Sequence, residues 1–234
     1  MTYIFLVAGQ GVRLHPLTLN YPKTLYRLKD IDTVLQRMVK LIKKHDSSAE
    51  IIVVTGFLHE KIEKIVDGVT FIFNPFYAVT NSIASLWFAR DYLKRDNVTI
   101  INGDVVMSDQ LVKDVLCSKT EGALVLYDSS IKKTGDYNVS ISGDQVVVMS
   151  KDLDDYDGEY AGVVKLDRTG AKQVLEGIDD MIEHGHYDQW YENALVQMIF
   201  KDNFILKYID ICDYQWTEVD SVRDLVLAKK ISRD

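Results

Sequence analysis

Short apolar runs alternate with amphipathic segments along the first half of the chain. A strand buried in a parallel sheet is a nearly continuous apolar run, whereas a surface helix carries apolar residues every three or four positions. Five apolar runs occur in order, at YIFLVA (3–8), EIIVVTG (50–56), VTFIF (69–73), VTIING (98–103) and GALVLY (122–127). This alternation predicts an α/β fold, with a mostly parallel central sheet flanked by helices.

Helix-capping residues stand before three of the intervening amphipathic segments. Asp32 precedes TVLQRMVKLIKKH, Thr80 precedes NSIASLWFARDYL, and Ser108 precedes DQLVKDVLC. Side-chain oxygens of these residue types accept hydrogen bonds from the free N–H groups of a first helical turn. The three residues are therefore predicted as N-caps.

The pattern changes near residue 130. DYNVSISGDQVVVMSK has two alternating runs joined at Ser142-Gly143-Asp144, which predicts an antiparallel hairpin. The remaining predicted elements, in order, are a strand at 159–167, helices at 168–185 and 189–202, a strand at 206–211, an extended WTEVDS segment at 216–221, and a helix from about Val222. Because no linker or repeat interrupts the chain, we predict one domain, 1–234, with the hairpin as an addition in its second half.

Composition limits the possible partners. Apolar residues make up 47% and charged residues 26% of the chain, and the net charge of −8 argues against a nucleic-acid partner. No apolar run approaches the ~20 residues that span a bilayer, and the first strand lacks the features of a leader peptide. Cys117 and Cys212 show neither metal-ligand spacing nor a disulfide pattern. These observations predict a cytoplasmic protein without a membrane partner.

The first strand is followed by Gly9-Gln10-Gly11, Arg13, Pro16-Leu17-Thr18 and Pro22-Lys23. A glycine turn lets backbone N–H groups point at an anion, and prolines fix the path of the loop. Leu14 takes the place of the third glycine of a dinucleotide fingerprint, and no Gly-Lys-Ser/Thr of a Walker loop follows. The segment predicts a phosphate-binding loop that carries two cations.

Residues 6–18 and 22–23 resemble the signature of the nucleotidylyltransferases, the sugar-nucleotide pyrophosphorylase superfamily, L-A-A-G-x-G-x-R-L-x-P-L-T-x-x-x-P-K. Val7 replaces the first alanine. The resemblance implies that Arg13 and Lys23 are catalytic and that residues 1–130 form the nucleotide-binding part. It also implies a set of nucleotide-binding residues: Ala8, Gly9, Gly11, Gly56, Asn81 and Ser85.

Three acidic residues are candidates for binding Mg²⁺, which accompanies a nucleoside triphosphate. Asp104 follows the apolar strand VTIING, at the edge where α/β sheets place ligands. Glu218 and Asp220 lie two apart, so in an extended segment their side chains project to the same side. Taken alone, Glu218 and Asp220 are more typical of solvated surface acids, and Asp104 could equally be a turn residue. The family resemblance assigns all three to the metal.

Other segments resemble the small bacterial CTP:phosphocholine cytidylyltransferases within this superfamily. These are Glu218-Val219-Asp220-Ser221, Asn81-Ser82-Ile83-Ala84-Ser85-Leu86, and Gly158-Glu159-Tyr160-Ala161-Gly162 after Ser150-Lys151. Ser82 and Ala84 depart from the asparagine and tyrosine usual in that group. The resemblance implies CTP and a small phosphorylated amine or alcohol as substrates and pyrophosphate as a product.

The acceptor is expected to contact residues 131–234. A choline-like headgroup needs aromatic faces with an acid nearby. The candidates for this site are Lys151, Trp190, Tyr191, Glu192 and Trp216. The alternative is that the aromatic residues pack the core and Lys151 is a solvated surface lysine.

Two other functions remain open from the sequence. One is a sugar-1-phosphate nucleotidylyltransferase, which a glycine at position 220 would have favoured. The other is a nucleotide-binding relative without turnover, which the presence of Arg13, Lys23 and Asp104 opposes. A homodimer is compatible with the sequence.

Overall fold

The computed structural model describes residues 1–28, 32–132 and 137–232. Within these residues the strands are β1 (Thr2–Val7), β2 (Glu50–Thr55), β3 (Thr70–Phe73), β4 (Val98–Asn102), β5 (Val105–Met107), β6 (Ala123–Asp128), β7 (Asn138–Ser142), β8 (Gln145–Ser150), β9 (Gly158–Leu166), β10 (Leu206–Asp210) and β11 (Trp216–Glu218). The α-helices of the same residues are α1 (Val34–His45), α2 (His59–Ile65), α3 (Ser82–Phe88), α4 (Asp109–Leu111), α5 (Arg168–Glu183), α6 (Glu192–Asp202) and α7 (Val222–Ile231).

The central sheet has the order β3-β2-β1-β4-β9-β6-β10 in the part of the chain that the structure describes. Strands β3, β2, β1 and β4 are parallel to one another, and β10 is parallel to β6. Strand β9 runs antiparallel to both β4 and β6. The prediction of a mostly parallel sheet is confirmed, and the structure adds that a strand from the second half of the chain lies inside this sheet.

Core packing follows the alternation of side chains along the strands. In β1, Ile4 faces one buried cluster, whereas Tyr3, Phe5 and Val7 face another. Each cluster also contains apolar residues from helices, so both faces of β1 are covered. This explains why YIFLVA is apolar at every position and not at every second one.

The predicted hairpin is present as β7 and β8, and β7 also pairs with the start of β9. A smaller sheet pairs β11 antiparallel with β5, in register Glu218 to Val105. Strand β5 is an addition to the sequence interpretation, which ended the fourth apolar run at residue 103. Its pairing brings the WTEVDS segment beside the carboxyl end of β4.

Two predicted N-caps are displaced by one residue. Thr33, not Asp32, caps α1, because its side chain accepts from the Gln36 N–H and Gln36 reciprocates in a capping box. Asn81, not Thr80, caps α3, since the Thr80 hydroxyl donates to the carbonyl of Phe76. Ser108 caps α4 as predicted. The predicted helix from about Val222 is confirmed as α7.

In the described residues, no helix has the length and apolar character needed to cross a membrane. Cys117 and Cys212 are both free thiols.

Candidate active site

The site begins where β1 ends. Gly11 adopts the left-handed conformation (φ 63°), which favours glycine, and precedes a short 3₁₀ turn at Val12–Leu14. The buried Thr18 hydroxyl donates to the Gly11 carbonyl at 2.7 Å. The loop therefore folds back on itself, and the hydrogen bond from Thr18 holds the glycine turn in place.

Lys23 lies at the centre of a cluster of charges. It starts a second 3₁₀ turn, Lys23–Leu25, directly after Pro22. Its ammonium makes an ion pair with Asp104 and lies 3.0 Å from an oxygen of Asp220. Burial lowers the pKa of Lys23, but the neighbouring carboxylates of Asp104 and Asp220 outweigh burial, so the net pKa is raised. Lys23 is therefore a permanent cation at neutral pH.

Arg13 supplies a second cation to this cluster. Its guanidinium lies 2.7 Å from the other oxygen of Asp220, and about half of the side chain (53%) is exposed. Arg13 and Lys23 thus hold opposite oxygens of one carboxylate. Both also line the same cavity, where they face an incoming anion.

Glu218 is a partly buried acid of the cluster. Burial raises its pKa well above the ordinary value, and the negative charges of Asp104 and Asp220 raise it further. Its side chain accepts a 3.4 Å hydrogen bond from the Asn102 amide, which projects from the end of β4. Any cation that enters here lowers the cost of ionising Glu218.

One side of the cavity is formed by small residues and an ordered loop. Ala8 and Gly9 line it after β1, and Asn81 and Ser85 line it at the start of α3. Buried Asn74 donates to the Ser85 hydroxyl at 3.1 Å and to the Thr80 hydroxyl at 3.2 Å. These bonds fix the loop before α3 against the sheet, so this wall of the cavity is preorganised.

Gly56 supports the same wall from behind. A Cβ at position 56 would lie 2.6 Å from the Cβ of Tyr77 and 2.8 Å from the Cβ of Ala8. Real atoms do not approach that closely, so only glycine allows the Tyr77 loop to pack on the end of β1.

The opposite side of the cavity is aromatic. The rings of Tyr137 and Trp190 are perpendicular at 6.1 Å, and Tyr137 meets Tyr160 edge to face at 6.0 Å. Trp190 is 40% exposed, and the Lys151 ammonium lies 4.5 Å from the centre of its ring. This face of the indole already holds a cation, as expected of an electron-rich ring.

Glu192 lies beside these rings, as the first residue of α6. Its side chain is buried, and burial raises its pKa to about 7, while a hydrogen bond with Asn102 and the charge of Lys151 lower it. Because Asn102 also donates to Glu218, one amide links the aromatic side of the cavity with the charge cluster.

Most of the predicted site residues meet in this one cavity. Those that line it are Ala8, Gly9, Arg13, Lys23, Asn81, Ser85, Asp104, Lys151, Trp190, Glu192 and Glu218. Asp220 joins the site through its ion pairs with Lys23 and Arg13. Gly11 and Gly56 shape the surrounding loops and do not line the cavity.

Two of the aromatic residues expected at the acceptor lie elsewhere. The Tyr191 ring is fully buried, and its hydroxyl is 2.6 Å from that of Tyr160. Trp216 is buried in the core, and its indole N–H donates to Asp128 at 2.7 Å. Neither side chain lines the cavity, and the polar atom of each ring is paired within the protein, which corrects the sequence-based placement of both side chains.

The lining residues to which the sequence interpretation assigned no role include Asn102, Tyr137, Glu159 and Tyr160. Glu159 and Tyr160 fall in the Gly158–Gly162 segment that carried part of the family resemblance, and Asn102 precedes Gly103-Asp104. From the sequence, these two segments could therefore have pointed to Asn102, Glu159 and Tyr160 as residues of the site. Tyr137 carried none, since it reads as an ordinary strand residue of the hairpin.

In the described part of the chain, no three acidic, histidine or cysteine side chains are grouped closely enough to hold a metal by themselves. Asp104 and Asp220 nevertheless share one cation, Lys23, and supply the carboxylate oxygens that Mg²⁺ prefers. The donor set therefore fits a hard divalent cation whose remaining ligands are phosphate oxygens and water.

A glycine turn after the first strand, two cations and an acidic cluster at the carboxyl edge of a parallel sheet define an α/β enzyme that acts on phosphate groups. The sequence profile described as nucleotidyl transferase matches residues 2–139, more than half of the chain. The chain belongs to the nucleotidyl transferase family and is a nucleotidyltransferase.

Several curated proteins are similar over nearly the whole chain. Choline-phosphate cytidylyltransferase of Streptococcus pneumoniae is 26% identical over 232 residues, which cover 96% of this chain and 95% of that protein. CTP:phosphoglutamine cytidylyltransferase of Campylobacter jejuni is 23% identical, and the match covers 96% of this chain and 98% of that protein. 2-Aminoethylphosphonate cytidylyltransferase of Lancefieldella rimae is 25% identical, with 95% and 89% covered.

Solved structures share the fold. The CTP:phosphocholine cytidylyltransferase of Streptococcus pneumoniae superposes with a TM-score of 0.77 at 23% identity, covering 99% of this chain and 98% of that one. A structure described as a putative glucose-1-phosphate thymidylyltransferase of Bacillus anthracis also superposes with a TM-score of 0.77. Its identity is 20%, and the match covers 100% of this chain and 96% of that one. The fold is therefore common to enzymes with different acceptors.

Proposed function

We propose that this protein transfers the cytidylyl group of CTP to a small phosphorylated amine or alcohol and releases pyrophosphate. The observation that carries the proposal is that a single cavity joins the charge cluster around Lys23 to an aromatic and acidic corner at Trp190 and Glu192. The choice of CTP is supported by the named activities of the three curated relatives.

The reaction is an in-line displacement at the α-phosphorus of CTP. A phosphate or phosphonate oxygen of the acceptor forms the new bond to phosphorus, and the bond to the bridging oxygen of the β-phosphate breaks. Pyrophosphate leaves with that electron pair. Since the nucleophile is already an anion, no general base is required, and catalysis consists of positioning and charge neutralisation.

Arg13 and Lys23 have different tasks in this scheme. The half-exposed Arg13 guanidinium is suited to the β- and γ-phosphates, which it can bind with two N–H groups. The buried Lys23 ammonium is suited to the α-phosphate or to the incoming acceptor phosphate. Both cations are held by Asp220 in the absence of substrate, so phosphate oxygens replace carboxylate oxygens as their partners.

Nucleotidyltransferases of this family generally use a divalent metal. We propose Mg²⁺, with Asp104, Asp220 and Glu218 as the protein groups that would hold it. Bound there, it neutralises negative charge on the triphosphate. The raised pKa of Glu218 favours this assignment, because a buried acid gains most from a cation beside it.

The remaining residues divide between the two substrates. Ala8, Gly9, Asn81 and Ser85 form the preorganised wall and are assigned to the nucleoside, with Gly11 and Gly56 shaping the loops behind them. Lys151, Trp190 and Glu192 are assigned to the acceptor. Trp190 and Glu192 form a corner suited to a positively charged headgroup, and Lys151, whose ammonium lies on the Trp190 ring, is assigned to the acceptor phosphate.

The test is pyrophosphate release with Mg²⁺ and CTP in the presence of phosphocholine, phosphoethanolamine or 2-aminoethylphosphonate. UTP or dTTP with glucose 1-phosphate is assayed in parallel. We expect release only when CTP and a phosphorylated amine are both present. Release with the sugar phosphate instead would support a sugar-nucleotide enzyme, and no release under any condition would support the relative without turnover.

A further inference from the structure

One oxygen of the Glu192 carboxylate is left without a partner. The side chain lies in the cavity lining and is only 5% exposed. Its Oε2 atom accepts no hydrogen bond from the residues that the structure describes. A buried carboxylate oxygen without a donor is unusual and costly, because burial removes the water that would otherwise bind it.

The polar groups around Glu192 are already engaged. The Asn102 amide donates to Glu218 at 3.4 Å. The Tyr160 hydroxyl is paired with that of Tyr191, and the Tyr137 hydroxyl donates to Asn193 at 2.9 Å. These side chains therefore leave the open oxygen available to a donor on a ligand in the cavity.

Lys151 does not fill this position. Its ammonium lies on the face of Trp190, and no ion pair within 4.0 Å joins it to Glu192 in the described residues. The corner thus has two complementary features, an indole face that attracts a cation and a buried carboxylate oxygen that needs an N–H or O–H donor.

A primary ammonium and a trimethylammonium differ in whether they can donate a hydrogen bond to this oxygen. A primary ammonium carries N–H groups and can donate a charge-assisted hydrogen bond to a carboxylate. A trimethylammonium carries none, and it is bound through its methyl groups by aromatic faces. A trimethylammonium in this corner would leave the open oxygen of Glu192 desolvated and unpaired.

We propose that the acceptor of this enzyme carries an ammonium with N–H groups, and that Glu192 selects it over a trimethylammonium by accepting one of those N–H groups at Oε2. This inference rests on the proposed function and narrows its acceptor to a phosphorylated amine that keeps at least one N–H group. Glu192 is then a specificity-determining residue that contacts the headgroup and not the reacting phosphate.

The test is a series of acceptors that differ only in N-methylation: phosphoethanolamine, its N-methyl and N,N-dimethyl derivatives, and phosphocholine. Pyrophosphate release is measured with CTP and Mg²⁺, and kcat/KM is compared. We expect the largest fall in kcat/KM at the last methylation, with phosphocholine at least about tenfold below phosphoethanolamine, because only the trimethylammonium has lost the N–H that donates the charge-assisted hydrogen bond.

Two variants distinguish the effect of Glu192 on acceptor preference from the effect of negative charge in the cavity. In Glu192→Gln the preference for phosphoethanolamine over phosphocholine should collapse to within about threefold, since the charge that strengthens the hydrogen bond is gone. Glu159→Gln removes another acid from the same cavity lining and should keep the wild-type preference. Circular dichroism verifies that both variants fold, and the wild-type series is decisive even if one does not.

Equal or better kcat/KM with phosphocholine in the wild type would overturn the inference and leave the proposed function intact. An unchanged preference in folded Glu192→Gln would also overturn it. Absence of pyrophosphate with all four acceptors would overturn the proposed function, and the inference with it.

Discussion

Lys23 and Asp104 form an ion pair although 81 positions separate them in the chain. The pair exists because β1 and β4 are neighbouring parallel strands, so the loops that follow them leave the same edge of the sheet. Asp220 approaches the same ammonium from a third element, after β11. One lysine therefore compensates carboxylates from two distant parts of the sequence.

Replacing Lys23 by methionine should nearly abolish turnover. The substitution keeps the apolar stem but removes the cation that stabilises charge at the reacting phosphate, which typically costs about 100-fold or more in kcat. The measurement is the rate of pyrophosphate release at saturating substrates. Lys64→Met, which removes an exposed lysine on α2, is the matched control and should retain wild-type kcat. Turnover by Lys23→Met within a few-fold of wild type would contradict the assigned role.

The same variant should respond more strongly to Mg²⁺ than the wild type. Without Lys23, the carboxylates of Asp104, Asp220 and Glu218 repel one another, and a divalent cation that binds the folded state stabilises it. We expect millimolar Mg²⁺ without nucleotide to raise the melting temperature of Lys23→Met more than that of the wild type or of Lys64→Met. Equal shifts for all three proteins would argue against a metal site formed by these acids.

Asp104→Ala should lower kcat by about 100-fold or more even at saturating Mg²⁺, since it removes a carboxylate assigned to the metal and leaves Lys23 with one partner fewer. A titration of rate against Mg²⁺ measures whether the loss is one of affinity or of turnover. Near-wild-type turnover at high Mg²⁺ would show that Asp104 is not required for metal-dependent catalysis.

Glu192→Gln should stabilise the protein at alkaline pH while impairing its activity. Burial raises the pKa of Glu192 to about 7 from an ordinary value of 4.5, so the folded state keeps a proton that the unfolded state has lost between those values. The contribution of Glu192 to the free energy of unfolding of the wild type therefore declines as pH rises from about 4.5 to about 7. A glutamine side chain does not ionise, so the variant does not lose stability in this way.

The expected difference is about 3 kcal/mol in the free energy of unfolding near pH 8, in favour of Glu192→Gln, and it should shrink towards about pH 5. Urea unfolding of both proteins at several pH values measures it. A constant difference across this range would mean that Glu192 has an ordinary pKa in the folded protein.

Trp216→Phe tests the corrected placement of Trp216. The variant keeps the ring but removes the N–H that donates to buried Asp128, so the free energy of unfolding should fall by about 1–3 kcal/mol. Because the indole does not line the cavity, KM for the acceptor should stay within about twofold of wild type. Trp190→Phe, at the cavity, should instead raise that KM, and an increase of similar size in both variants would restore Trp216 to the acceptor site.

The local sequence pattern alone was enough to predict several features of this protein. The apolar runs predicted the strands β1, β2, β3, β4 and β6. In β1, β2, β4 and β6 the reason is burial, because a strand covered on both faces is apolar at nearly every position. The loop after β1 was readable because Gly11 and Pro22 each impose a local backbone constraint that needs no distant partner. Asp104 followed from the general position of ligands at strand ends.

Other features depended on which distant segments meet. Strand β9 lies between β4 and β6 and carries Tyr160 into the cavity, which no local pattern indicates. Trp190 and Trp216 are both tryptophans beside acidic residues in the sequence, yet one lines the cavity and the other donates to Asp128 in the core. Local periodicity determines how a segment folds, whereas a side chain's partner depends on pairing between strands far apart in the chain. The sequence by itself therefore determined the elements and the phosphate loop, and only the tertiary structure decided which aromatic and acidic residues form the acceptor corner.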